Sequence, residues 1–313
     1  MIFKDLSPIE ALTDDLDALA RLLPASLLPV AAPRLAPRSA LMVSAHRIKH
    51  LNKIDELAAD LLMINLEDGV AAIQKPLARH LAALFIASAP ESVRARCVVR
   101  VNPLGKGGEE DIALIAKAHP GAIRLPKVTS PDEVRWGLSL LPEGCDLHLS
   151  IETKEAFTSI SSLVIDVRVR VLYLGILDLL ADLGLSQALL RQNNPTIDYI
   201  LAKFLIETKV AGAVAMGFVY QDHTDIEGFR AWAAYLKSMG YEGMGVISPK
   251  QVEIANVIFS PDANELQRAR EIKELFEASL AQGESGFAHP EYGFIDEPIY
   301  KDALACLARN GEN

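Results

Sequence analysis

The sequence has few cysteines and no long hydrophobic run. Its three cysteines, Cys97, Cys145 and Cys306, are widely spaced without a C-x-x-C pair, so we expect neither a disulfide framework nor a zinc site. No apolar run approaches the roughly 20 residues that a membrane span needs. Charged residues such as Lys4 and Asp5 occur where a signal peptide would be apolar. We therefore expect a cytoplasmic protein with no membrane partner.

An excess of positive charge is also lacking. The formal net charge is −10, and the sequence contains neither a basic stripe nor a nucleic-acid-binding motif. Negative charge opposes binding to a phosphate backbone because like charges repel and no counterions are released. We therefore expect no nucleic acid among the partners of this protein.

Aromatic residues are scarce, and the hydrophobic part of the sequence is mainly aliphatic. Hydrophobic residues make up 50% of the 313 residues and aromatic residues only 6%. This composition is globular, and an aliphatic core is typical of buried parallel strands. α/β barrels commonly reach this length with an added appendage. We therefore expect one barrel with extensions.

Short apolar runs alternate with longer amphipathic segments from Arg38 onward. This is the pattern of repeated βα units around a parallel sheet. The predicted strands are Ala40–Val43, Leu61–Leu66, Cys97–Val101, Ala122–Leu125, Leu147–Ile151, Val169–Leu174, Ala213–Met216 and Met244–Ile247. The predicted helices between them include Ile48–Ala59, Gln74–Ala87, Pro131–Leu140 and Thr196–Thr208. Eight strands that each precede a helix predict an α/β fold, a closed (β/α)₈ TIM barrel over residues 38–260, rather than an open doubly wound sheet.

The segments on either side of the barrel are predicted to be helical appendages. Four prolines interrupt the chain just before the barrel, so the helix predicted over Pro8–Leu23 belongs to an N-terminal arm, residues 1–37. Residues 261–313 are predicted to form a C-terminal helix and a helical lid. Their predicted parts are a helix over Pro261–Gln282, a Gly- and Pro-containing segment over Gly283–Pro298 and a short helix from Ile299.

Polar residues follow several of the predicted strands. They are Glu67 and Asp68 after the second strand, Arg100 near the end of the third, Glu152 after the fifth and Asp178 after the sixth. The carboxyl ends of the strands form the working face of a parallel barrel. Glu152 and Asp178 can together bind a hard cation such as Mg²⁺, with water as its other ligands. Arg100 would then face developing negative charge.

Each of these residues also has a purely structural interpretation. The carboxylates can each cap a following helix or lie in a loop. Arg100, and Lys127 after the fourth strand, can each form an ordinary salt bridge. Their joint placement on one face of the barrel favours a functional site.

Seven short motifs occur in order along the chain. They are RSALMV (38–43), INLEDGV (64–70) with Lys75 and Arg79, VVRVN (98–102), LPKV (125–128), IET (151–153), DLLADLG (178–184) and SPKQVEIANVIFSP (248–261). Together they resemble the citrate lyase β-subunit and malyl-CoA (citramalyl-CoA) lyase family of the HpcH/HpaI aldolase superfamily. The resemblance runs from Arg38 to about Asn310. It is specific because seven spaced motifs agree, whereas one alone would not be.

This resemblance implies a role for each candidate residue. Glu152 and Asp178 look like the Mg²⁺ ligands of the family, and Arg100 looks like the arginine that holds the carbonyl and enolate oxygens. Asp68, beside Glu67, resembles the acidic residue that closes the metal and keto-acid pocket through water. Glu67 and Lys127 would join Arg100 in binding the substrate.

The segment FIDEPIY (294–300) resembles the lid motif of the malyl-CoA lyases. In that family the aspartate of the motif comes from a neighbouring subunit, so the resemblance implies that Asp296 acts in trans. Asp296 would then be the acid that protonates the enolate carbon. The protein is accordingly expected to form a homo-oligomer, a trimer or a hexamer.

Three positions depart from the family pattern. Leu177 stands where the residue before the metal aspartate is usually Glu. Ser44-Ala45 replaces a P-G pair after the first strand, and Ser248 replaces a His before the last P-x-Q motif. The last two departures lie near the loops that receive the thioester arm in the family. They therefore bear on the carrier and the acyl group more than on the lyase chemistry.

The implied activity is Mg²⁺-dependent cleavage of a 3-hydroxyacyl thioester that bears a carboxylate, giving a 2-oxo acid and an acetyl thioester. Three substrates are expected in decreasing order of preference: citramalyl-CoA, malyl-CoA and a citryl thioester on an acyl-carrier protein. The order places the CoA esters first because the lid motif looks more like that of the CoA lyases. These acyl groups differ little at the carbinol carbon, and discrimination of a methyl is worth only about 1–3 kcal/mol. The sequence does not resolve that choice.

Two other functions are compatible with part of the pattern. Class II pyruvate aldolases share the I-E-T and D-L motifs and cleave free hydroxy-oxo acids, but they resemble each other in a histidine where this sequence has Asp68-Gly69. A non-catalytic citrate lyase-like binding subunit is suggested by Leu177 and Ser248. The retained carboxylates and Arg100 argue against such decay.

Overall fold

The computed structural model describes residues 1–33 and 36–312. Arg34 and Leu35 of the predicted N-terminal arm, and Asn313 of the predicted lid region, lie outside the described residues. The chain divides into two compact units, Met1–Asn256 and Val257–Asn313. The division predicted at residues 37 and 260 stays a prediction. Across the described residues, none of the helices combines the length and hydropathy of a membrane span.

The first unit is built on a parallel β barrel. Its strands among the described residues are β1 (Ser39–Ser44), β2 (Leu61–Asn65), β3 (Cys97–Arg100), β4 (Ala122–Leu125), β5 (Asp146–Ile151), β6 (Val169–Leu174), β7 (Val214–Met216) and β8 (Met244–Val246). They pair in parallel in the order β7-β6-β5-β4-β3-β2-β1-β8. A bridge between Gly217 and Met244 joins the two ends. The predicted (β/α)₈ TIM-barrel fold is thereby confirmed.

Helices connect these strands around the barrel. The helices of this part of the chain are α1 (Ser7–Glu10), α2 (Leu16–Arg21), α3 (Ile48–Leu51), α4 (Lys75–Ser88), α5 (Glu91–Arg94), α6 (Gly108–Ile115), α7 (Pro131–Leu140), α8 (Lys154–Thr158), α9 (Ile176–Asp182), α10 (Pro195–Val210), α11 (Ile226–Met239) and α12 (Pro249–Phe259). The predicted helices Gln74–Ala87, Pro131–Leu140 and Thr196–Thr208 correspond to α4, α7 and α10.

Two predicted helices are wrong in extent. The segment Pro8–Leu23 forms the two short helices α1 and α2, because the Asp15 side chain accepts a backbone N–H from the first turn of α2 (2.9 Å) and starts a new helix there. The segment Ile48–Ala59 stops as α3 and continues as a 3₁₀ turn. Asn52 follows α3, and its side-chain amide bonds both the N–H and the carbonyl of Phe3 (2.8 Å each). This contact between distant parts of the chain is invisible to local periodicity.

The barrel interior changes from apolar to polar toward the carboxyl ends of the strands. Side chains two residues apart on a strand share a face. The apolar interior contains Ala40, Leu61, Met63, Val98, Ala122, Val171, Tyr173 and Met216. One step further along the strands, the register aligns Asn65 with Arg100, Arg100 with Arg124, and Arg124 with His148. Polar side chains are therefore concentrated at the face where a parallel barrel carries its site.

The second unit is a helical hairpin with a small antiparallel sheet. Its elements are α13 (Ala263–Leu280), β9 (Gly286–His289), β10 (Gly293–Asp296) and α14 (Glu297–Arg309). The segment Gly283–Pro298, predicted without strands, forms a β-hairpin because Phe287 and Ile295 are paired in register and pack into the core of this unit. The last helix begins at Glu297, before the predicted Ile299, because Asp296 caps it.

Candidate active site

Asn65, the last residue of β2, organises the loop that carries Glu67 and Asp68. Its Oδ1 accepts the backbone N–H of Glu67 (3.1 Å) and the Nε–H of Arg100 (2.8 Å). Its Nδ2 donates to the carbonyl oxygen of Asp68 (2.6 Å). Glu67 is buried, with 2% of its surface exposed, and its Oε2 atom lies 3.2 Å from Nη1 of Arg100. The guanidinium of Arg100 is therefore held in one orientation at the end of β3.

Lys127 links this loop to Glu152. Its φ of 54° is left-handed, a conformation that is uncommon outside glycine and is often found at functional sites. The Lys127 backbone N–H donates to Oε1 of Glu152 (2.7 Å). Its Nζ lies 3.0 Å from Oε1 of Glu67 and 3.1 Å from Oδ2 of Asp68. Burial disfavours the charged forms of Lys127 and Asp68. The contacts between the Lys127 ammonium and the carboxylates have the larger effect, so the pKa of Lys127 is raised and the pKa of Asp68 is lowered.

Glu152 and Asp178 make no direct contact with a cationic group among residues 1–33 and 36–312. Glu152 follows β5 and is 3% exposed, and Asp178 lies exposed in the first turn of α9. Desolvation by the surrounding protein is the largest cause of the raised pKa of both carboxyls. At Glu152 the charge of Arg124 and the N–H of Lys127 oppose this rise in pKa, and the charge of Asp178 adds to it. Among the described residues, neither carboxylate forms an ion pair. Such a pair is suited to an added cation.

This donor set fits Mg²⁺. Carboxylate oxygens are hard ligands, and Mg²⁺ usually takes one or two of them and keeps several waters. Within residues 1–33 and 36–312 no cluster of three or more His, Cys, Asp or Glu side chains could hold a metal. Glu152 and Asp178 would thus leave most coordination positions to water or to substrate oxygens.

Gly175, between β6 and α9, provides the space that Glu152 occupies. A Cβ atom at this position would lie 2.4 Å from Oε2 of Glu152 and 2.5 Å from its Cβ. We expect Gly175→Ala to displace Glu152 and weaken Mg²⁺ binding by about 10–100-fold, as loss of supporting contacts does at other metal sites. The φ of −87° is allowed for alanine, so the fold should be retained. Calorimetric Mg²⁺ titration, beside a thermal unfolding curve of the same variant, measures this; unchanged affinity in a folded variant would contradict it.

One cavity of about 330 Å³ opens at this face of the barrel. Asp68, Arg100, Glu152 and Asp178 line it, and Glu67 and Lys127 contact these lining residues directly. Apolar lining comes from Met42, Leu174, Ile176, Leu177, Phe218, Val219 and Ile247. Six predicted site residues are therefore brought together around a cavity with one charged and one apolar wall.

Arg124 also lines this cavity and was not predicted from the sequence. Its Nε–H donates to Oγ of Ser150 (2.9 Å), and its guanidinium carbon lies 4.1 Å from the centre of the Tyr173 ring. Burial lowers the pKa of Arg124 to about 10, so the group is protonated at neutral pH. The available signal was an arginine on the inward-facing side of an apolar strand, two residues after Ala122.

Lys75 and Arg79 of the second motif stabilise the loop after β3. Lys75 donates from Nζ to Oδ1 of Asn102. Arg79 Nε lies 2.6 Å from Oδ1 of the fully buried Asp111, whose other oxygen accepts the backbone N–H of Asn102 (2.8 Å). Lys75 and Arg79 therefore fix the position of the backbone that follows Arg100.

Gln251 of the last motif holds the loops after β7 and β8. Its Oε1 accepts the backbone N–H of Ile247 (2.8 Å), and its Nε2 donates to the carbonyl oxygen of Tyr220 (3.2 Å). Ser248, one of the departures from the family pattern, accepts the Gln251 N–H through Oγ (3.3 Å). Ser248 thus has a capping role at the start of α12.

Asp296 belongs to the second unit and is not among the residues brought together around the cavity. Its Oδ1 accepts the backbone N–H of Ile299 (3.3 Å) at the start of α14. The same carboxylate therefore has a structural use as a helix cap, which must be kept in any test of its chemistry.

Comparisons with known proteins identify a family and relatives of this chain. The family model described as HpcH/HpaI aldolase/citrate lyase matches residues 38–249. The (3S)-malyl-CoA thioesterase of Cereibacter sphaeroides is 30% identical over 248 residues, covering 79% of this chain and 85% of that protein. The mitochondrial citramalyl-CoA lyase of Homo sapiens is 27% identical over 289 residues, covering 85% of this chain and 83% of that protein.

A solved structure extends the similarity to three dimensions. The CitE protein of Mycobacterium tuberculosis, in complex with magnesium, acetoacetate and coenzyme A, matches with a TM-score of 0.71 and 26% identity, covering 89% of this chain and 99% of that one. The family model spans most of the barrel, including every site residue except Asp296. The resemblance seen in the seven motifs is confirmed, and the chain belongs to the HpcH/HpaI aldolase/citrate lyase family.

Proposed function

We propose that the protein is a Mg²⁺-dependent oxo-acid lyase that acts on a thioester of coenzyme A. Its substrate is a 3-hydroxyacyl thioester with a carboxylate on the carbinol carbon, and its products are a 2-oxo acid and an acetyl thioester. The observation that carries the proposal is the convergence of Arg100, Glu152 and Asp178 on one cavity in a chain of this family. The names of the relatives mention coenzyme A or its esters, which supports coenzyme A as the carrier of the acyl group.

The reaction breaks the bond between the carbinol carbon and the carbon next to the thioester carbonyl. The hydroxyl proton passes to a water at Asp68, the hydroxyl oxygen becomes the keto oxygen of the 2-oxo acid, and the electrons of the broken carbon–carbon bond pass into a thioester enolate. When bound by Glu152 and Asp178, Mg²⁺ supplies a Lewis acid for the carboxylate and hydroxyl oxygens. Asp68, whose pKa is lowered by Lys127 against the effect of burial, stays ionised and accepts hydrogen bonds from water at the mouth.

Arg100 stabilises the enolate oxygen. Its orientation is fixed before the reaction by Asn65 and Glu67, so little reorganisation is needed as charge develops. Lys127 contacts both Glu67 and Asp68 and shares Glu67 with Arg100, so the guanidinium of Arg100 does not balance these carboxylates alone and can also bind a substrate oxygen. The enolate carbon then takes a proton from Asp296 of a neighbouring subunit.

Measuring both products tests this function. The purified protein with Mg²⁺ is incubated with citramalyl-CoA, malyl-CoA, citryl-CoA and, separately, a free hydroxy-oxo acid, and the 2-oxo acid, acetyl-CoA and free thiol are quantified separately. We expect equal amounts of 2-oxo acid and acetyl-CoA from at least one thioester. Free thiol without a 2-oxo acid would instead indicate thioester hydrolysis, and turnover only of free hydroxy-oxo acids would indicate an aldolase. If none of these compounds is turned over, the remaining interpretation is a non-catalytic binding subunit.

A mixing experiment tests the proposed contribution of Asp296 in trans. Arg100→Ala and Asp296→Asn are each expected to be inactive, and asparagine is chosen because it can still cap α14. After subunit exchange, mixed oligomers contain sites with both wild-type groups and should regain part of the activity. Mass spectrometry of differently labelled chains verifies the exchange. If exchange is complete and no activity returns, Asp296 does not act across the interface.

A further inference from the structure

The cavity contains a second guanidinium with unused hydrogen-bond donors. Arg124 is 5% exposed and lines the cavity. Its only side-chain hydrogen bond among the described residues runs from Nε to Oγ of Ser150, and its guanidinium has no ion pair there. Both terminal nitrogens therefore lack a protein partner within the described part of the chain. Neither is a fully buried atom without a partner, so both are open to the cavity and can donate to water or to an anion there.

The surroundings of Arg124 fix its position, and the charges of Glu152 and Glu67 act on it without direct contact. The ring of Tyr173 stacks against the guanidinium at 4.1 Å, and the Tyr173 hydroxyl contacts Nδ1 of His148 (3.2 Å). Ser150 holds the Nε edge. Stacking and one edge contact leave the two terminal nitrogens as a rigid, planar pair of donors.

The other arginine of the cavity differs in this respect. Arg100 bonds Asn65 and the carbonyl oxygen of Asp68, and it lies within ion-pair distance of Glu67. Arg124 contacts none of the four carboxylates of the site. A planar pair of N–H donors matches the two oxygens of a carboxylate and binds it more strongly than a neutral group.

We propose that Arg124 binds a second carboxylate of the acyl substrate, carried on the substituent of the carbinol carbon. The proposal rests on the proposed function, in which the first carboxylate lies at Glu152 and Asp178 with the metal. The 2-oxo acid released would then be a dicarboxylate, because a hydrogen or methyl substituent would leave Arg124 unpaired. Among the three thioesters considered, this favours the citryl type.

Isothermal calorimetry with two matched 2-oxo acids tests this. Oxaloacetate and 2-oxobutyrate differ by a carboxylate in place of a methyl, and both are titrated into the full-length protein with Mg²⁺ present. We expect the wild type to bind oxaloacetate at least about tenfold more tightly, in line with charge-assisted hydrogen bonds. Arg124→Met should bind the two acids equally, with an unchanged affinity for 2-oxobutyrate. Arg94→Met, which replaces a buried arginine outside the cavity, should keep the wild-type preference.

Each result decides a separate question. Equal binding of the two acids by the wild type would overturn the role of Arg124 and leave the lyase proposal intact. Equal weakening of both acids by Arg124→Met would also overturn it, because the loss would then not depend on the second carboxylate. If neither acid binds the wild type, the proposed function fails as well. Should Arg124→Met not fold, Arg124→Gln replaces it, and the absence of a preference in the wild type overturns the proposal without any variant.

Discussion

Replacing Arg100 by lysine is expected to lower kcat on the order of 10²-fold or more, although the positive charge is kept. The guanidinium reaches Asn65, Glu67 and the loop at Asp68 at once. An ammonium group cannot make this set of contacts and still present donors in a plane to a substrate oxygen. The loss should appear in kcat rather than in KM, because the enolate oxygen gains its charge only during the reaction.

The matched control for this variant is Arg96→Lys. Arg96 precedes β3 and donates to the carbonyl oxygen of Ala59 (3.0 Å), outside the cavity. Steady-state kinetics on the thioester that the wild type cleaves, with far-UV circular dichroism of both variants, separates chemistry from folding. A near-normal kcat for Arg100→Lys would make Arg100 a structural residue of the Asn65 loop.

Asp178→Asn is expected to weaken Mg²⁺ binding by more than about 100-fold, beyond the usual loss for a supporting residue. Asparagine keeps the shape of the side chain and removes its charge, so a single carboxylate, Glu152, would remain for the ion. One carboxylate and water seldom hold Mg²⁺ firmly. Glu152→Gln should act in the same direction, and the double variant should show no binding by calorimetry.

Asp182→Asn provides a control on the same helix. Asp182 ends α9, and its Oδ2 accepts the backbone N–H of Lys154 (2.7 Å) away from the cavity lining. Its Mg²⁺ affinity should equal that of the wild type. Wild-type affinity and full activity in Asp178→Asn would remove the metal assignment.

The fold and much of the candidate site follow from local patterns in the sequence. Apolar runs bounded by helix starts locate the eight strands, since a parallel barrel strand is buried on both faces. The polar residues after those runs are the ones that the structure gathers, because the carboxyl ends of barrel strands share one face. The assignment of Glu67, Arg100, Glu152 and Asp178 to one site needed no contact information.

Other features depend on contacts that local patterns do not contain. The breaks near Asp15 and Asn52 arise from a helix cap and from a bond to Phe3, so periodicity alone overextends both helices. The left-handed Lys127 is set by its bonds to residues of two other strand ends. The local pattern places Arg124 in an apolar strand, and only the three-dimensional structure shows that its guanidinium lines the cavity.

The strands β7 and β8 share fewer paired residues than the other neighbouring strands of the barrel, and the apolar part of the cavity lies beside them. Backbone hydrogen bonds from Gly217 to Gly243 and from Gly245 to Gly217 connect the two strands, and the Gln251 side chain connects the loops that follow them. The bridge at Gly217 and Met244 pairs one residue of each strand, whereas β6–β7 and β1–β8 each pair three, so we expect local opening to begin between β7 and β8. Phe218, Val219 and Ile247, which follow these strands, form much of the apolar wall. We therefore expect this apolar wall to adjust more readily than the charged groups, which the ladders from β2 to β6 keep in register.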